Sequence, residues 1–309
     1  MKNMKLTLEY DGTNYQGWQH LDQKGRKGGS NTVCGKITDT LCRLTGESIE
    51  LFCAERTEPG VHASCQTVSF KTGSALSASE IKRSLNQYLP QDIAVLSARE
   101  VPERFHAALN CISRAYTYRI QTHVPGGHPV THASAGQINP IRQGMVPNVF
   151  TRKYTLYVPE QLDIDAMAQG AAAFVGTRDF SCFSSGKKKK STEKTVLRCE
   201  IISPAGRELH IVTEANGFLH LMPRLIVGTL LDIGLKKRTP ACIPAVFSGE
   251  EAPGRPAPAH GLCLTATHYN AAGRSELYGF NKDGLADIQN GDTRPFSEAI
   301  SDLRNRRKR

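Results

Sequence analysis

The stretch SASEIKRSLNQYLPQDIAVLSAREV, residues 77–101, predicts a helix followed directly by a strand. Ser77 and Glu80 have the spacing of a capping box, which satisfies free N–H groups at the start of a helix. This helix is predicted to run to about Tyr88. From residue 92 onward, DIAVLSAREV has the composition of a strand. The rest of the chain extends this pattern in both directions.

The residues that precede this stretch contain three more strands and one more helix. Alternating apolar and polar residues predict a strand at 4–10. Val33, Ile37, Leu41 and Leu44 lie at helical spacing and predict a helix over 32–45. SIELFCA and CQTVSFKT then predict two strands. The order strand, helix, strand, strand, helix, strand is that of a ferredoxin-like domain.

The second half of the chain repeats this order loosely. Strands are predicted for RAYTYRI, TVLRCEIISP, RELHIVTEA and GLCLTATHY, and helices for LDIDAMAQGAAAFVG and FLHLMPRLIVGTLLDIG. We therefore predict an α+β fold of two ferredoxin-like halves with antiparallel sheets. The predicted divisions are an N-terminal half at 1–121, an irregular insertion at 122–153, a C-terminal half at 154–270 and a polar basic tail at 271–309.

The composition indicates a globular protein with a preference for polyanions. The chain has 309 residues, 39% hydrophobic and 22% charged, with a net charge of +10. This charge favours nucleic acid first and an acidic membrane second, although a basic surface can also be only solvated. Nine cysteines without a C-x-x-C pair argue against a zinc ribbon and fit reduced thiols in a cytoplasmic protein. No apolar run is long enough for a membrane span.

The segment CAERTEPGVHAS, residues 53–64, is dense in charge and contains a Pro-Gly turn signal. Together with five other motifs in a fixed order, it makes the chain resemble the tRNA pseudouridine synthase A family over nearly all of residues 4–270. These motifs are YDGTNYQGWQ, ERTEPGVHA, LNQYLPQDI, FHAA followed by RAYTY, GTRDFSCF and FLHLMPRLIVG.

The resemblance implies a reaction, a cleft and partners. Enzymes of this family isomerise uridine to pseudouridine in tRNA, typically in the anticodon stem-loop, by cutting the C–N glycosidic bond and rejoining uracil through C5. The resemblance implies that no cofactor or metal is needed. It also implies that the two half-sheets meet around a central RNA-binding cleft, and that the protein is a homodimer with tRNA or another structured RNA as partner.

The resemblance also implies roles for individual residues. Glu58 stands at the position of the catalytic carboxylate, and Arg224 matches the arginine that pairs with it. Tyr116 matches the aromatic residue that stacks on the uracil. Arg56 and Arg114 are expected to bind RNA. A basic loop is expected to bind RNA phosphates through Lys187, Lys188, Lys189 and Lys190.

The chain departs from the family pattern at several of these positions. Glu58 replaces an aspartate, which adds about 1.5 Å of reach. A misplacement of about 1 Å can cost on the order of 100-fold in rate. Glu55 replaces a glycine, Ala108 an arginine, Leu225 an asparagine and Pro223 a valine.

These departures leave two main hypotheses open. The chain is either an active pseudouridine synthase with a glutamate at the catalytic position, or a catalytically impaired paralogue that binds or remodels structured RNA. A third and weaker hypothesis is a different RNA reaction at a Glu55/Glu58 pair, which an extended loop would direct to opposite faces. His62 is predicted to be structural.

Overall fold

We describe residues 1–19, 31–122, 148–185, 191–205 and 208–269 of a computed structural model of the chain. The strands are β1 Lys2–Tyr10, β2 Phe52–Cys53, β3 His62–Thr72, β4 Ile93–Val101, β5 Ser113–Thr122, β6 Leu156–Val158, β7 Gly176–Asp179, β8 Glu193–Ala205, β9 Glu208–Ala215 and β10 Leu262–His268. The helices are α1 Val33–Thr45, α2 Ala78–Tyr88, α3 Ile164–Ala172, α4 Met222–Gly234 and α5 Cys242–Ser248.

The strand order contains the same arrangement twice. In the first half it is β4-β1-β3, with β2 paired to β3, and in the second it is β10-β5-β9-β8, with β7 beyond β8. In the first repeat, α1 follows β1 and α2 precedes β4. In the second repeat, α3 comes after β5, and α4 comes before the last strand, β10. The predicted α+β fold of two ferredoxin-like halves is confirmed. The predicted division at residue 121 falls at the end of β5, whereas the strand order groups β5 with the second half.

The two halves join where β3 pairs with β10. The candidate site lies at this join. Towards its start, β3 pairs in parallel with β10, through Cys263↔His62 and Leu264↔Ala63. Further along, the same strand pairs with β2 through Cys53↔Val68. Residues 54–61 connect β2 to β3 and therefore lie where the two half-sheets meet.

Side-chain alternation and helix capping explain why the strands and helices of the first half form where they do. In β1, Met4, Leu6 and Leu8 are fully buried, as the period-two pattern predicts. In α2, the Ser77 side chain accepts a hydrogen bond from the Glu80 N–H while Glu80 accepts one from the Ser77 N–H, so the predicted capping box is confirmed. The predicted α1 and α2 have the expected extents within one residue.

The second half packs around α4, which is buried on nearly all sides. Pro223 lies in the first turn of α4, where a missing N–H removes no helical hydrogen bond. Four phenylalanine rings form an aromatic cluster beside this helix, with centroid distances of 5.1–6.1 Å: Phe174, Phe180, Phe183 and Phe247. Helix α5, which contains Phe247, was not predicted from the sequence.

Parts of the predicted insertion, the basic loop and the C-terminal tail lie outside the described residues. Within the described ranges, no helix has the length and apolarity that a membrane crossing requires. The same ranges contain no cluster of three or more His, Cys, Asp or Glu side chains suited to a metal ion.

Candidate active site

The loop between β2 and β3 is shaped by a tight turn and by the first sequence motif. The Val61 N–H donates to the Glu58 carbonyl at 3.1 Å, and Gly60, at φ +78°, supplies the left-handed residue of this turn. Gly17 lies against the loop at φ +85°, where a Cβ atom would be 2.8 Å from the Thr57 carbonyl oxygen. The Trp18 N–H donates to the same carbonyl at 3.0 Å. Gly17 and Trp18 of the first motif therefore contact the loop directly.

Two buried polar side chains hold the loop from the sheet side. The Tyr10 and Thr57 hydroxyl groups lie 2.7 Å apart. The Gln66 amide brackets Glu55, because its Nε2 donates to the Glu55 carbonyl at 2.6 Å while its Oε1 accepts from the Glu55 N–H at 3.4 Å. Sequence reasoning did not single out Gln66, since one glutamine in a strand has no distinctive pattern.

Glu58 and Arg224 form a close ion pair that spans the two halves. Arg224 Nη1 donates to Glu58 Oε2 at 2.7 Å, and the two side chains are 19% and 14% exposed. Arg224 Nε donates to the Ala257 carbonyl at 2.6 Å, which fixes the orientation of the guanidinium. The structure therefore brings together the two residues for which the family resemblance implied a pair.

The second oxygen of Glu58 caps helix α4. The Leu221 N–H donates to Glu58 Oε1 at 2.8 Å, and no side chain of the helix itself caps this end. Leu221 adopts φ 64°, which is rare for a residue with a side chain and directs this N–H at the carboxylate. Negative charge is favoured at a helix N-terminus, so the end of α4 suits an anionic group. The longer side chain of glutamate reaches both partners.

A close approach of two main chains places Arg224. A Cβ atom on Gly228 would be 1.8 Å from the Arg255 carbonyl oxygen, so only glycine allows this segment to lie against α4. The Ala257 N–H donates to the Arg224 carbonyl at 2.9 Å, beside the Nε contact to the Ala257 carbonyl. The last glycine of the FLHLMPRLIVG motif therefore supports the arginine four residues before it.

Tyr116 lies on β5 near both carboxylates of the loop. Its side chain is 4% exposed, and its ring meets Phe218 edge to face at a centroid distance of 5.1 Å. Burial raises the pKa of Tyr116 well above its usual value, and the nearby charges of Glu55 and Glu58 raise it further. The phenol of Tyr116 therefore stays neutral in its buried position near the loop.

Arg56 and Arg114 occupy opposite environments. Arg56 is exposed, and its Nη1 donates to Gln19 Oε1 at 3.2 Å. Arg114 is only 8% exposed. Its guanidinium donates to four main-chain carbonyls at 2.7–3.1 Å, those of Ala54, Ala108, Cys111 and Asn216. The expectation that Arg114 binds RNA is not supported by this placement, because its donors are directed at the protein interior.

Comparisons with known proteins identify the family. The profile described as tRNA pseudouridine synthase matches residues 7–109 and 171–270. The chain belongs to the tRNA pseudouridine synthase family. It is 35% identical over 252 residues to tRNA pseudouridine synthase A 2 of Bacillus cereus, covering 81% of this chain and 92% of the relative. It is 35% identical over 273 residues to tRNA pseudouridine synthase A 2 of Clostridium tetani, covering 87% of this chain and 99% of the relative.

Membership in the tRNA pseudouridine synthase family confirms the prediction made from the six motifs. It also supports the predicted enzyme class, an isomerase that acts on uridine in tRNA. The matched ranges include Glu58 and Arg224, whereas Tyr116 and Arg114 lie between them. The four lysines predicted to bind phosphate, Lys187 to Lys190, lie outside the described residues.

Glu55 lies beside Glu58 in sequence but has its own arginine in the pseudouridine synthase fold. Its Oε2 is 3.6 Å from Arg114 Nε, and its Oε1 accepts from the Arg56 N–H at 3.1 Å. Burial raises the pKa of Glu55 to about 7, although Arg114 and other cations act in the opposite direction. Since the two carboxylates bind different arginines, the geometry does not support a shared Glu55/Glu58 pair.

A buried network under the loop contains His62. The His62 ring is 1% exposed; the Gly12 N–H donates to Nδ1 at 3.0 Å, and Nε2 lies 3.0 Å from the Lys153 carbonyl. Tyr154 donates to Asp11 Oδ2 at 2.8 Å and meets the His62 ring at 5.0 Å. Burial alone would raise the pKa of Asp11, but its hydrogen bonds lower it. These contacts fit the predicted structural role of His62, whereas no recognisable motif marks Tyr154.

Proposed function

We propose that this member of the tRNA pseudouridine synthase family is catalytically active and that Glu58 is its catalytic carboxylate. The observation that supports this most directly is the geometry of Glu58, which binds the Arg224 guanidinium at 2.7 Å and the Leu221 N–H at 2.8 Å. These two contacts hold the carboxylate in one orientation where the two half-sheets meet. The added methylene of glutamate is accommodated without loss of the arginine.

The neighbouring residues complete the proposed site. Tyr116 would stack on the uracil, and Phe218 fixes the orientation of its ring. Arg56, which is exposed at the same loop, would enter the space left by the displaced nucleotide and hold the RNA backbone. Glu58 would act on the ribose, either as a nucleophile or as a base, while the glycosidic bond breaks and the uracil rejoins through C5.

The substrate and the assembly are part of the same proposal. We infer a uridine in the anticodon stem-loop of tRNA, a homodimer and a cytoplasmic location. The net charge of +10 supports a polyanionic partner. Neutralising Lys187 to Lys190 together is expected to weaken tRNA binding and to flatten its salt dependence, because phosphate contacts release counterions.

Tritium release from tRNA labelled at uridine C5 tests the catalytic proposal. We expect release by the wild type, loss of release in Glu58→Gln and at least partial release by Glu58→Asp. Glu103→Gln is the matched control, since that side chain is 81% exposed and lies away from the loop. Binding of each variant to tRNA is measured by fluorescence anisotropy.

The outcomes separate the two hypotheses. Release by Glu58→Asp with silence in the wild type would mean that the extra methylene disables an intact site. If wild type and Glu58→Asp both bind tRNA without releasing tritium, with a pool of tRNAs containing every anticodon stem-loop, the chain is an RNA-binding paralogue. Unchanged release by Glu58→Gln would place the reaction at another carboxylate.

A further inference from the structure

The loop that holds Glu58 contains a second carboxylate with an unusual set of contacts. The Glu55 side chain is only 15% exposed, and its main chain is held on both sides by the Gln66 amide. One of its carboxylate oxygens accepts the N–H of Arg56, and the other faces Arg114 at 3.6 Å. Glu55 therefore connects the exposed arginine of the loop to the buried arginine of β5.

Arg114 is the fixed point of this arrangement. Its guanidinium binds the carbonyl of Ala54 on the loop, those of Ala108 and Cys111 in the segment before β5, and that of Asn216 after β9. Four carbonyl groups accept from four of its five N–H donors but do not balance its charge, which is costly to bury alone. The Glu55 carboxylate supplies the balancing charge.

We propose that Glu55 is a positioning residue that orders the main chain at Arg56 when it is ionised and releases it when it is protonated. The proposal rests on the proposed function, because it concerns the same loop and the same RNA. In the ionised form, a charge-assisted hydrogen bond fixes the Arg56 N–H while Arg114 holds the other oxygen. In the protonated form, the carboxyl group is a weaker acceptor and its attraction to Arg114 is lost.

The surroundings of Glu55 allow this change near neutral pH. Burial raises the pKa of Glu55 to about 7, against the effect of the surrounding cations. Six titratable or charged groups interact electrostatically with this carboxylate. They belong to five elements: the loop, β2, the segment before β5, β5 and β8. They are Cys53, Arg56, Cys111, Arg114, Tyr116 and Lys194.

The functional test is the pH dependence of kcat/KM for tRNA in wild type, Glu55→Gln and Glu55→Asp. If only the ionised form orders Arg56, kcat/KM of the wild type rises about tenfold between pH 6 and pH 8. Glu55→Gln should lose this rise and remain at least tenfold below the wild type at pH 8. Glu55→Asp keeps the charge and should keep the rise, and Glu103→Gln should match the wild type.

A second measurement does not depend on activity. The amide proton of Arg56 donates to Glu55, so its NMR shift should titrate near pH 7 in the wild type and not in Glu55→Gln. If the wild type releases no tritium but the Arg56 amide titrates, the proposed reaction is refuted. The positioning role of Glu55 is then still supported. An Arg56 amide that does not titrate, or equal pH profiles in wild type and Glu55→Gln, would overturn the proposal. So would tighter tRNA binding by Glu55→Gln at pH 8 with an unchanged kcat, since Glu55 would then only repel phosphate.

Discussion

The two glutamates of one loop differ in how each uses an arginine. Glu58 binds Arg224 at 2.7 Å across the join of the half-sheets, and its second oxygen caps a helix. Glu55 lies 3.6 Å from Arg114, an arginine whose donors are already directed at carbonyl groups. The first pair joins the two halves at the proposed catalytic position, whereas the second lies among main-chain carbonyl groups. Residues three apart in sequence can therefore belong to different functions, and the contacts of each arginine distinguish them.

The largest expected effect is on the first pair. Glu58→Gln keeps the size and an acceptor for the Leu221 N–H but removes the charge that binds Arg224. We expect kcat to fall on the order of 1,000-fold while thermal stability changes little. Tritium release and thermal unfolding on the same preparations measure the two effects. A fall in activity explained by unfolding would remove the contrast between the pairs.

The second pair should respond in the opposite way. Arg114→Leu leaves four carbonyl groups without a donor and Glu55 without its cation, so we expect a loss of about 3–5 kcal/mol in the free energy of unfolding. Urea denaturation measures it. Arg224→Leu, which removes the more exposed of the two arginines, should cost clearly less stability. Equal losses of stability in the two variants would show that Arg114 contributes no more to the fold than Arg224 does.

Gly17 should affect both pairs at once, because it lies against the loop that contains both glutamates. Gly17→Ala places a Cβ atom 2.8 Å from the Thr57 carbonyl in a left-handed conformation, and we expect a loss of about 2–3 kcal/mol. Urea denaturation and tritium release should both show the change. Gly46→Ala is the matched control, since Gly46 has a similar φ of +73° and open space around its Cβ position. The extra loss at Gly17 measures the contact with the loop.

The smallest expected effect is the pH dependence of stability that Glu55 contributes. Its pKa is about 7 in the fold, above the ordinary value of 4.5, so the folded protein holds the proton more tightly than the unfolded chain. Stability should therefore fall as pH rises from about 4.5 to 7, by no more than about 3 kcal/mol, and Glu55→Gln should lack this fall. Urea midpoints across this range, compared between wild type and variant, give the difference. An identical pH dependence in both proteins would show that Glu55 titrates normally.

Much of the fold could be predicted, because the patterns that set it are local. The alternation in β1 and the capping box of Ser77 and Glu80 were sufficient for the first half, and the repeat of that order suggested the second. Helix α5 was missed because seven residues with a proline among them have no clear helical period. Strand β2 is shorter than predicted, because only Phe52 and Cys53 of the predicted strand at 48–54 pair with β3.

The site could be predicted only where a side chain has a recognisable motif. Glu58 and Arg224 were found in this way, and the structure brings them together. The carbonyl contacts of Arg114 could not be predicted, because a sequence does not show whether a guanidinium faces solvent or carbonyl groups. The Leu221 N–H was missed because a main-chain donor aimed by a left-handed residue has no sequence signature.

The contact between the two half-sheets should form late when the chain folds. Glu58 and its arginine are 166 residues apart, and each is contributed by a different half. The first half can therefore complete its own strands while its carboxylate still lacks a partner, and closing so long a loop comes late. Activity should therefore return only with the last step of refolding. The rate at which activity returns would report when the two halves have joined.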